Sequence, residues 1–248
     1  MDYDMLKENA KKALGNNYWL AVAVTFLVAI ISGAVNSVGI IPEYFARILE
    51  TAVFEFGELN IGSFVVMLFL WLLSLSINIC IAVFCNNVLE VGQCAFYLKL
   101  RKGISDFTSI FFPFQNGMYM KVVKVMLKKY IYVFLWSLLF WIPGIIKSFE
   151  YFMVDYLAAE NPDIDPDRAL DISSKTMDGH KMDLFVLELT FIGWWCLVLL
   201  TCGIGSYFLL PYIRATKTEF YEFMKAKALN ESIATPEEFG IIPASEAI

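Results

Sequence analysis

The chain has 248 residues, of which 58% are hydrophobic and 18% are charged, with a formal net charge of −6. A soluble domain of this length needs more charge to cover its surface, so the composition argues against a water-soluble globular protein. A single His and five Cys without a Cys-x-x-Cys pair argue against zinc and redox motifs. The composition is typical of a protein whose outer surface faces lipid.

The N-terminal residues predict a surface helix followed by a first membrane span. Within residues 3–14, Tyr3, Leu6 and Ala10 share one helical stripe, which predicts a short amphipathic helix on the membrane surface. The apolar run that follows predicts a span at about 18–41. It is too long for a signal peptide and lacks a small-x-small cleavage pattern, so we expect a retained anchor.

A second span follows an acidic amphipathic stretch. Residues 42–60 repeat apolar side chains every four positions, which predicts a second interfacial helix. From Leu59 to Leu89 the chain carries no charge. Since about 20 residues cross a hydrocarbon core of roughly 30 Å, we predict a span at about 61–84. The helix is expected to continue beyond the membrane until Gly103 stops it.

The next segment, 104–118, is rich in Phe but interrupted by Pro113 and Gly117. It is too short and too broken to span a membrane. The pattern therefore predicts an interfacial loop that dips into the lipid headgroups.

A third and a fourth span are predicted on either side of a Pro-Gly turn. The third, 122–142, begins among four lysines and ends before Pro143. The fourth, 145–160, is only long enough to reach about 24 Å at the helical rise, so it barely crosses. Its charged residues suggest that other helices shield it from lipid.

The remaining elements are a cytoplasmic helix and a membrane hairpin. Asp165 and Pro166 predict the N-cap and first position of a helix that stops at Gly179. Two spans, 182–202 and 203–222, are expected to form a hairpin around a Gly-Ile-Gly turn.

These elements predict an all-α, polytopic membrane bundle of about six transmembrane helices plus short amphipathic interfacial helices. Residues 1–228 would form a single integral membrane domain, and 229–248 a polar, acidic, disordered tail. In this arrangement all of the 19 Lys and Arg residues except Arg47 and Lys147 fall on one side. The positive-inside rule then places both termini in the cytoplasm.

Several short motifs in the second half stand out: Ile142-Pro143-Gly144-Ile145-Ile146-Lys147, Asn161-Pro162-Asp163, Ala169-Leu170 and Met177-Asp178-Gly179-His180-Lys181. With them the sequence resembles a bacterial family of uncharacterised integral membrane proteins catalogued as domain of unknown function 975. The resemblance covers nearly the whole chain to about residue 225. It implies a multi-pass protein of the bacterial cytoplasmic membrane and brings no activity. One departure is Ser174, where the family pattern leads us to expect Arg.

Charged residues inside predicted spans are costly, so each is a candidate functional residue. Four lie about 8–10 Å inside the cytoplasmic edge by helical rise, and adjacent helices could bring them together: Lys128, Lys129, Asp155 and Glu188. One hypothesis is an ion, proton or headgroup pocket near the cytoplasmic leaflet. The other is that these residues snorkel to the interface or form structural ion pairs.

Two further sets of charges lie near predicted span ends. His180 and Lys181 precede the fifth span and could contact a phosphate headgroup, or His180 could act as an interfacial anchor. Lys147 and Glu150 lie one helical turn apart and are expected to pair with each other.

The sequence contains no Gly-rich phosphate loop, no Gly-x-Ser-x-Gly and no metal-ligand spacing. We therefore expect no enzymatic activity and no cofactor. The favoured hypothesis is a membrane scaffold or partner-binding module; the alternative is a component of a small-molecule or ion transporter. The expected partners are the lipid bilayer and a protein in the membrane. Nucleic acid is not expected, because the basic residues line membrane edges.

Overall fold

The computed structural model describes residues 2–56, 61–115 and 117–241. Within these residues the protein is all-helical, which confirms the predicted all-α class. Three of the described helical segments are long and apolar enough to cross a membrane: Tyr3–Ser37, Phe64–Arg101 and Lys181–Leu200. The chain thus has the features of a membrane protein, and these segments are fewer than the six spans expected from the sequence.

The described helices are α1 (Tyr3–Leu14), α2 (Tyr18–Phe56), α3 (Ile61–Ile81), α4 (Asn87–Arg101), α5 (Tyr119–Leu139), α6 (Trp141–Glu150), α7 (Val154–Glu160), α8 (Pro166–Thr176), α9 (Lys181–Leu189), α10 (Ile192–Leu200) and α11 (Ser206–Asn230). Short 3-10 segments lie at Gly15–Asn17, Phe107–Phe114 and Pro236–Phe239, and a π-helical turn at Ala82–Asn86 joins α3 to α4.

The chain divides into two compact units. Unit 1 consists of the described residues of Met1–Phe26 and Val88–Ile248, and unit 2 consists of those of Leu27–Asn87. The core of unit 1 is formed by α4, the first half of α5, α7, α8 and α11. Its most deeply buried side chains are fully inaccessible to solvent and include Phe96, Met126, Leu157, Ile172 and Phe220.

Unit 2 contains most of α2 and all of α3. Its helices expose large apolar side chains, such as Phe64 and Phe69, as a lipid-facing surface would. Within it, Asn86 Nδ2 donates to Asn36 Oδ1 at 3.1 Å. The interfacial helix expected at 42–60 is not separate, because α2 continues unbroken to Phe56; membrane helices tolerate an internal Pro. Residues 57–60 lie outside the described residues.

Two predicted helix boundaries are confirmed. The Asp165 side chain caps α8 by accepting hydrogen bonds from the backbone N–H groups of Asp167 and Arg168, and Pro166 occupies the first helical position. The helix that begins in α3 ends at Arg101, and Gly103 follows with a φ of +78°. Glycine is favoured there because a Cβ would be strained at positive φ.

The predicted span 145–160 is two helices, α6 and α7, separated by a turn. The Ser173 hydroxyl of α8 donates to the Glu150 carbonyl at 2.6 Å and accepts from the Met153 N–H at 3.2 Å. It therefore binds backbone groups on both sides of the interruption, which the sequence of this segment does not reveal.

The Phe-rich segment 104–118 is not a simple headgroup loop. Asp106 caps its 3-10 helix, and the Asp106 carboxylate accepts hydrogen bonds from Thr108, Lys99 and Ser109. The hydrogen bond from the Thr108 hydroxyl is the main cause of the lowered pKa of this carboxyl group. Ile110 is fully buried against α4, although Phe107 and Phe114 remain exposed. The segment thus packs into unit 1.

The polar tail expected from residue 229 is also ordered where it is described. α11 continues to Asn230, and Phe239 is only 2% exposed. Arg168 holds the segment by donating to Glu238 at 2.6 and 3.1 Å and to the Ile233 carbonyl at 2.8 Å. The prediction failed because one apolar anchor and one bidentate Arg contact fix a segment whose average composition is polar. Residues 242–248 lie outside the described residues.

We expect Arg168→Met to release residues 231–241 from unit 1, because the bidentate contact with Glu238 and the bond to the Ile233 carbonyl are both lost. Limited proteolysis with mass spectrometry would show faster cleavage after Asn230. Lys175→Met is the matched control, since Lys175 pairs with Asp171 on the same helix at an exposed site and should leave the cleavage rate unchanged. Equal rates in wild type and Arg168→Met would contradict this prediction.

The contact between Arg168 and Glu238 also predicts that proteolysis of residues 231–241 depends on pH. The hydrogen bond from Arg168 lowers the pKa of Glu238 below its ordinary value of 4.5. A depressed carboxyl pKa contributes stability above 4.5 that is lost as the pH falls through the lower, folded value. Proteolysis of the wild-type segment should therefore accelerate as the pH falls below 4.5, with an acid-tolerant protease. Arg168→Met should show a weaker acceleration.

Candidate functional site

Lys129 and Asp155 form a buried ion pair between α5 and α7. Lys129 Nζ lies 2.6 and 2.8 Å from the two carboxylate oxygens of Asp155, and the side chains are 9% and 13% exposed. That these two residues could meet was one hypothesis drawn from the sequence. Buried charges require such pairing because an unpaired one would pay a large desolvation cost.

The other two members of the predicted cluster lie elsewhere. Lys128 pairs with Asp167 of α8, whose side chain is 71% exposed. Glu188 of α9 pairs with Lys217 of α11 at 2.6 Å, where both side chains are about a third exposed. Consecutive residues on a helix point about 100° apart, so Lys128 and Lys129 face different neighbours. The four residues therefore form three separate ion pairs rather than one pocket.

Two residues that the sequence analysis did not single out extend the Lys129–Asp155 pair. Asp155 interacts electrostatically with Glu90 of α4 and Arg214 of α11, and Arg214 interacts with Glu90. Tyr130 places its hydroxyl 3.5 Å from Glu90. We call Glu90, Lys129, Asp155 and Arg214 the charge quartet; its close ion pair is Lys129–Asp155, and the four side chains together have no formal net charge. Glu90 and Arg214 are the first charges after long apolar runs, which was the available signal.

A second buried group of polar side chains joins α7 to α11. Glu160 accepts from Lys225 at 2.6 Å through each carboxylate oxygen and from the Tyr221 hydroxyl at 2.6 Å. The Tyr221 ring stacks on Tyr156 with centroids 4.5 Å apart. Like the quartet, this group is internally neutralised and connects helices.

Glu150 is a third centre. It accepts from Lys147 at 2.5 Å, from Lys181 at 2.7 Å and from the Ser174 hydroxyl at 2.7 Å. The structure thus pairs Lys147 with Glu150, as expected, and adds Lys181 to the pair. Ser174, which stands where the family resemblance led us to expect Arg, donates one of these hydrogen bonds to the Glu150 carboxylate.

The two residues predicted to contact lipid headgroups, His180 and Lys181, both have partners within the protein. His180 Nδ1 lies 2.6 Å from Asp183, which also accepts from the Tyr3 hydroxyl at 3.1 Å. Lys181 is bound to Glu150, and the side chains of His180 and Lys181 are 30% and 29% exposed. Their contact with a phosphate headgroup stays a prediction. Among the described residues, no group of three His, Cys, Asp or Glu side chains could hold a metal ion.

A comparison with known protein families shows the family to which the chain belongs. Residues 1–228 match the family model described as a protein of unknown function, DUF975. The chain belongs to the DUF975 family. No curated protein and no solved structure matches it.

In this DUF975 chain Lys11 of α1 lines a cavity of about 580 Å³. Residues of α10 and α11 also line this cavity, as do Thr201 and Gly205 between them. Lys7 lies 5.3 Å from the Phe191 ring centroid and Lys11 5.8 Å from that of Tyr212. Neither lysine forms an ion pair with a carboxylate among the described residues, so both are available to anionic groups.

Proposed function

We propose that this DUF975 protein is a non-enzymatic membrane scaffold or partner-binding module of the bacterial cytoplasmic membrane. The observation that carries the proposal is the pairing of its buried acids with bases. The charge quartet, the Glu160–Lys225 group and the Glu150 group each join helices of unit 1 and leave no buried acid in them without a base. Such an arrangement favours a rigid platform over a titrating or transporting site.

The transport alternative required Asp155 and Glu188 to converge on one pocket. Instead Asp155 is bound to buried Lys129, while Glu188 is partly exposed and bound to Lys217. Their separation supports the scaffold. The proposal includes cytoplasmic termini, more than one membrane crossing, and a protein partner in addition to lipid. Nucleic acid is not among its partners.

Purification of the tagged full chain from its native membrane in mild detergent tests the proposal. We expect one protein to be recovered in stoichiometric amount through washes at high salt. An unrelated multi-pass protein with the same tag and expression level is the control for adventitious capture.

Transport by the protein reconstituted in liposomes is the result that would contradict the scaffold proposal. Recovery of the chain alone, together with solute or proton flux that is abolished by Glu188→Ala and by Asp155→Asn, would replace the scaffold with a transporter. The scaffold predicts no flux that depends on either side chain. Asp163→Ala is the control for flux, because Asp163 pairs with Lys121 at an exposed site.

A further inference from the structure

Unit 1 contains two apolar hairpins. The first joins α5 to α6 and carries no charge from Tyr130 to Ile146. Around its tip, Leu138 is 75% exposed, Trp141 is 86% exposed and Ile142 is 70% exposed. A continuous apolar surface of this kind is unfavourable in water and requires an apolar surrounding.

The α5 arm is too short to cross a bilayer. Lys128 pairs with Asp167, and this strongly exposed carboxylate must lie in water or among headgroups. From Lys128 to the end of α5 at Leu139 the helix rises about 17 Å, against a hydrocarbon core of about 30 Å. Tilting would shorten this reach, and a snorkelling lysine would add only the length of its own side chain.

The α6 arm gives the same result independently. Lys147 lies only about 9 Å by helical rise from Trp141 at the start of α6. Through Glu150 it is joined to Lys181 and Ser174. If the tip reached the far surface, this triple contact and the polar helix α8 attached to it would lie in hydrocarbon. Lys147 therefore lies on the same side of the membrane as Lys181, although the sequence analysis placed the two on opposite sides.

The second hairpin joins α10 to α11. Lys181–Leu200 is long enough to cross a membrane by length and composition, but Glu188 and Lys217 form an ion pair across the two arms, with both side chains about a third exposed. From Glu188 to Leu200 the rise is at most about 18 Å. At the tip, Leu199 is 79% exposed and Leu200 is 81% exposed.

The turn of this second hairpin suits an apolar medium. Every backbone N–H from Thr201 to Ser206 donates within the turn, for example Gly203 to the Val198 carbonyl at 2.9 Å and Gly205 to the Thr201 hydroxyl at 3.0 Å. A turn exposed to water does not need such complete internal pairing. A turn in hydrocarbon does, because an unpaired N–H there costs several kcal/mol.

We propose that both hairpins enter one leaflet of the bilayer, turn among its acyl chains and return to the side from which they came. Their partner is the hydrocarbon of that single leaflet, entered to a depth of about 9–18 Å, the rise of the arms beyond their ion pairs. The predicted spans 122–142, 145–160, 182–202 and 203–222 then become two half-depth hairpins. This arrangement does not depend on the scaffold role proposed above.

Cysteine labelling of the full chain in its membrane tests the insertion. The background replaces Cys80, Cys85, Cys196 and Cys202 with Ser and keeps buried Cys94. Three chains are compared with it: one that retains Cys202 at the second tip, one with Trp141→Cys at the first, and one with Lys12→Cys as a water-exposed control on unit 1. Each is treated with a membrane-impermeant maleimide in right-side-out vesicles, in inverted vesicles and after solubilisation.

We expect Lys12→Cys to label from one side only. The two tip cysteines should remain at the background level in both vesicle orientations and become labelled in detergent. Labelling of a tip from the side opposite to Lys12→Cys would mean that the hairpin crosses, and labelling from the same side would mean that it lies in water; either overturns the proposal. A nitroxide at each tip should also show oxygen collisions exceeding those of a polar nickel chelate, as near the bilayer centre; a tip at headgroup depth is a further contradiction.

Discussion

Replacing Lys129 with Met is expected to lower the free energy of unfolding by about 3–5 kcal/mol, because it leaves the buried carboxylate of Asp155 without its base. Lys129 and Asp155 are 9% and 13% exposed and joined at 2.6 Å. With Lys129 removed, Glu90 and Asp155 are opposed only by Arg214. Denaturant unfolding of the full chain in detergent, followed by circular dichroism, measures the loss.

The adjacent residue provides a matched control. Lys128→Met removes the same number of atoms and the same charge from the same helix, but its partner Asp167 is 71% exposed and can be solvated by water. An exposed pair contributes about 0–1 kcal/mol. If the two substitutions have equal effects, the buried pair does not have the energetic role assigned to it.

A double substitution separates pairing from packing. Lys129→Met combined with Asp155→Leu removes both charges and leaves Glu90 and Arg214 balanced. Replacement of a buried ion pair by apolar side chains is often neutral or stabilising. The double variant should therefore recover most of the stability lost in Lys129→Met. A loss equal to the sum of two independent single losses would show that the charges do not interact.

The second large effect is expected from Gly92→Ala in α4. A Cβ at this position would lie 2.0 Å from the carbonyl oxygen of Ile110, which belongs to the 3-10 segment packed on the helix. Backbone atoms on either side must move apart, so we expect a loss of about 1–3 kcal/mol or more by the same unfolding measurement.

Gly193→Ala is the control for this substitution. Gly193 also lies inside a helix, α10, and an added Cβ there meets no atom within 4 Å. Alanine has the higher helix propensity, so this variant should be neutral or slightly stabilising. A similar cost at Gly92 and Gly193 would mean that helix flexibility, and not the close approach to Ile110, determines the effect.

The sequence predicted features that depend on local chemistry. The cap at Asp165, the stop at Gly103 and the pairing of Lys147 with Glu150 follow from neighbours within one helical turn. It also suggested Lys129 with Asp155, since both charges interrupt apolar runs at similar depth. It did not reveal Glu90, Arg214 or the Glu160–Lys225 group, because these residues interact with partners about 60 or more positions away in the sequence.

Composition and hydrophobic pattern were enough to determine that the chain is all-helical and built for a membrane, because helix formation and lipid exposure depend on periodicity and average polarity. Only the tertiary structure decided which charges meet and how far each hairpin reaches. The consecutive residues Lys128 and Lys129 have different environments, because neighbouring side chains on a helix point about 100° apart. In the proposed arrangement Lys147 lies on the same side of the membrane as Lys181, because Glu150 joins the two lysines. Hydropathy counts the apolar residues of each hairpin along the chain. In the proposed arrangement, the depth that these residues reach in the membrane is limited by the ion pairs that hold the arms of the hairpin at the surface.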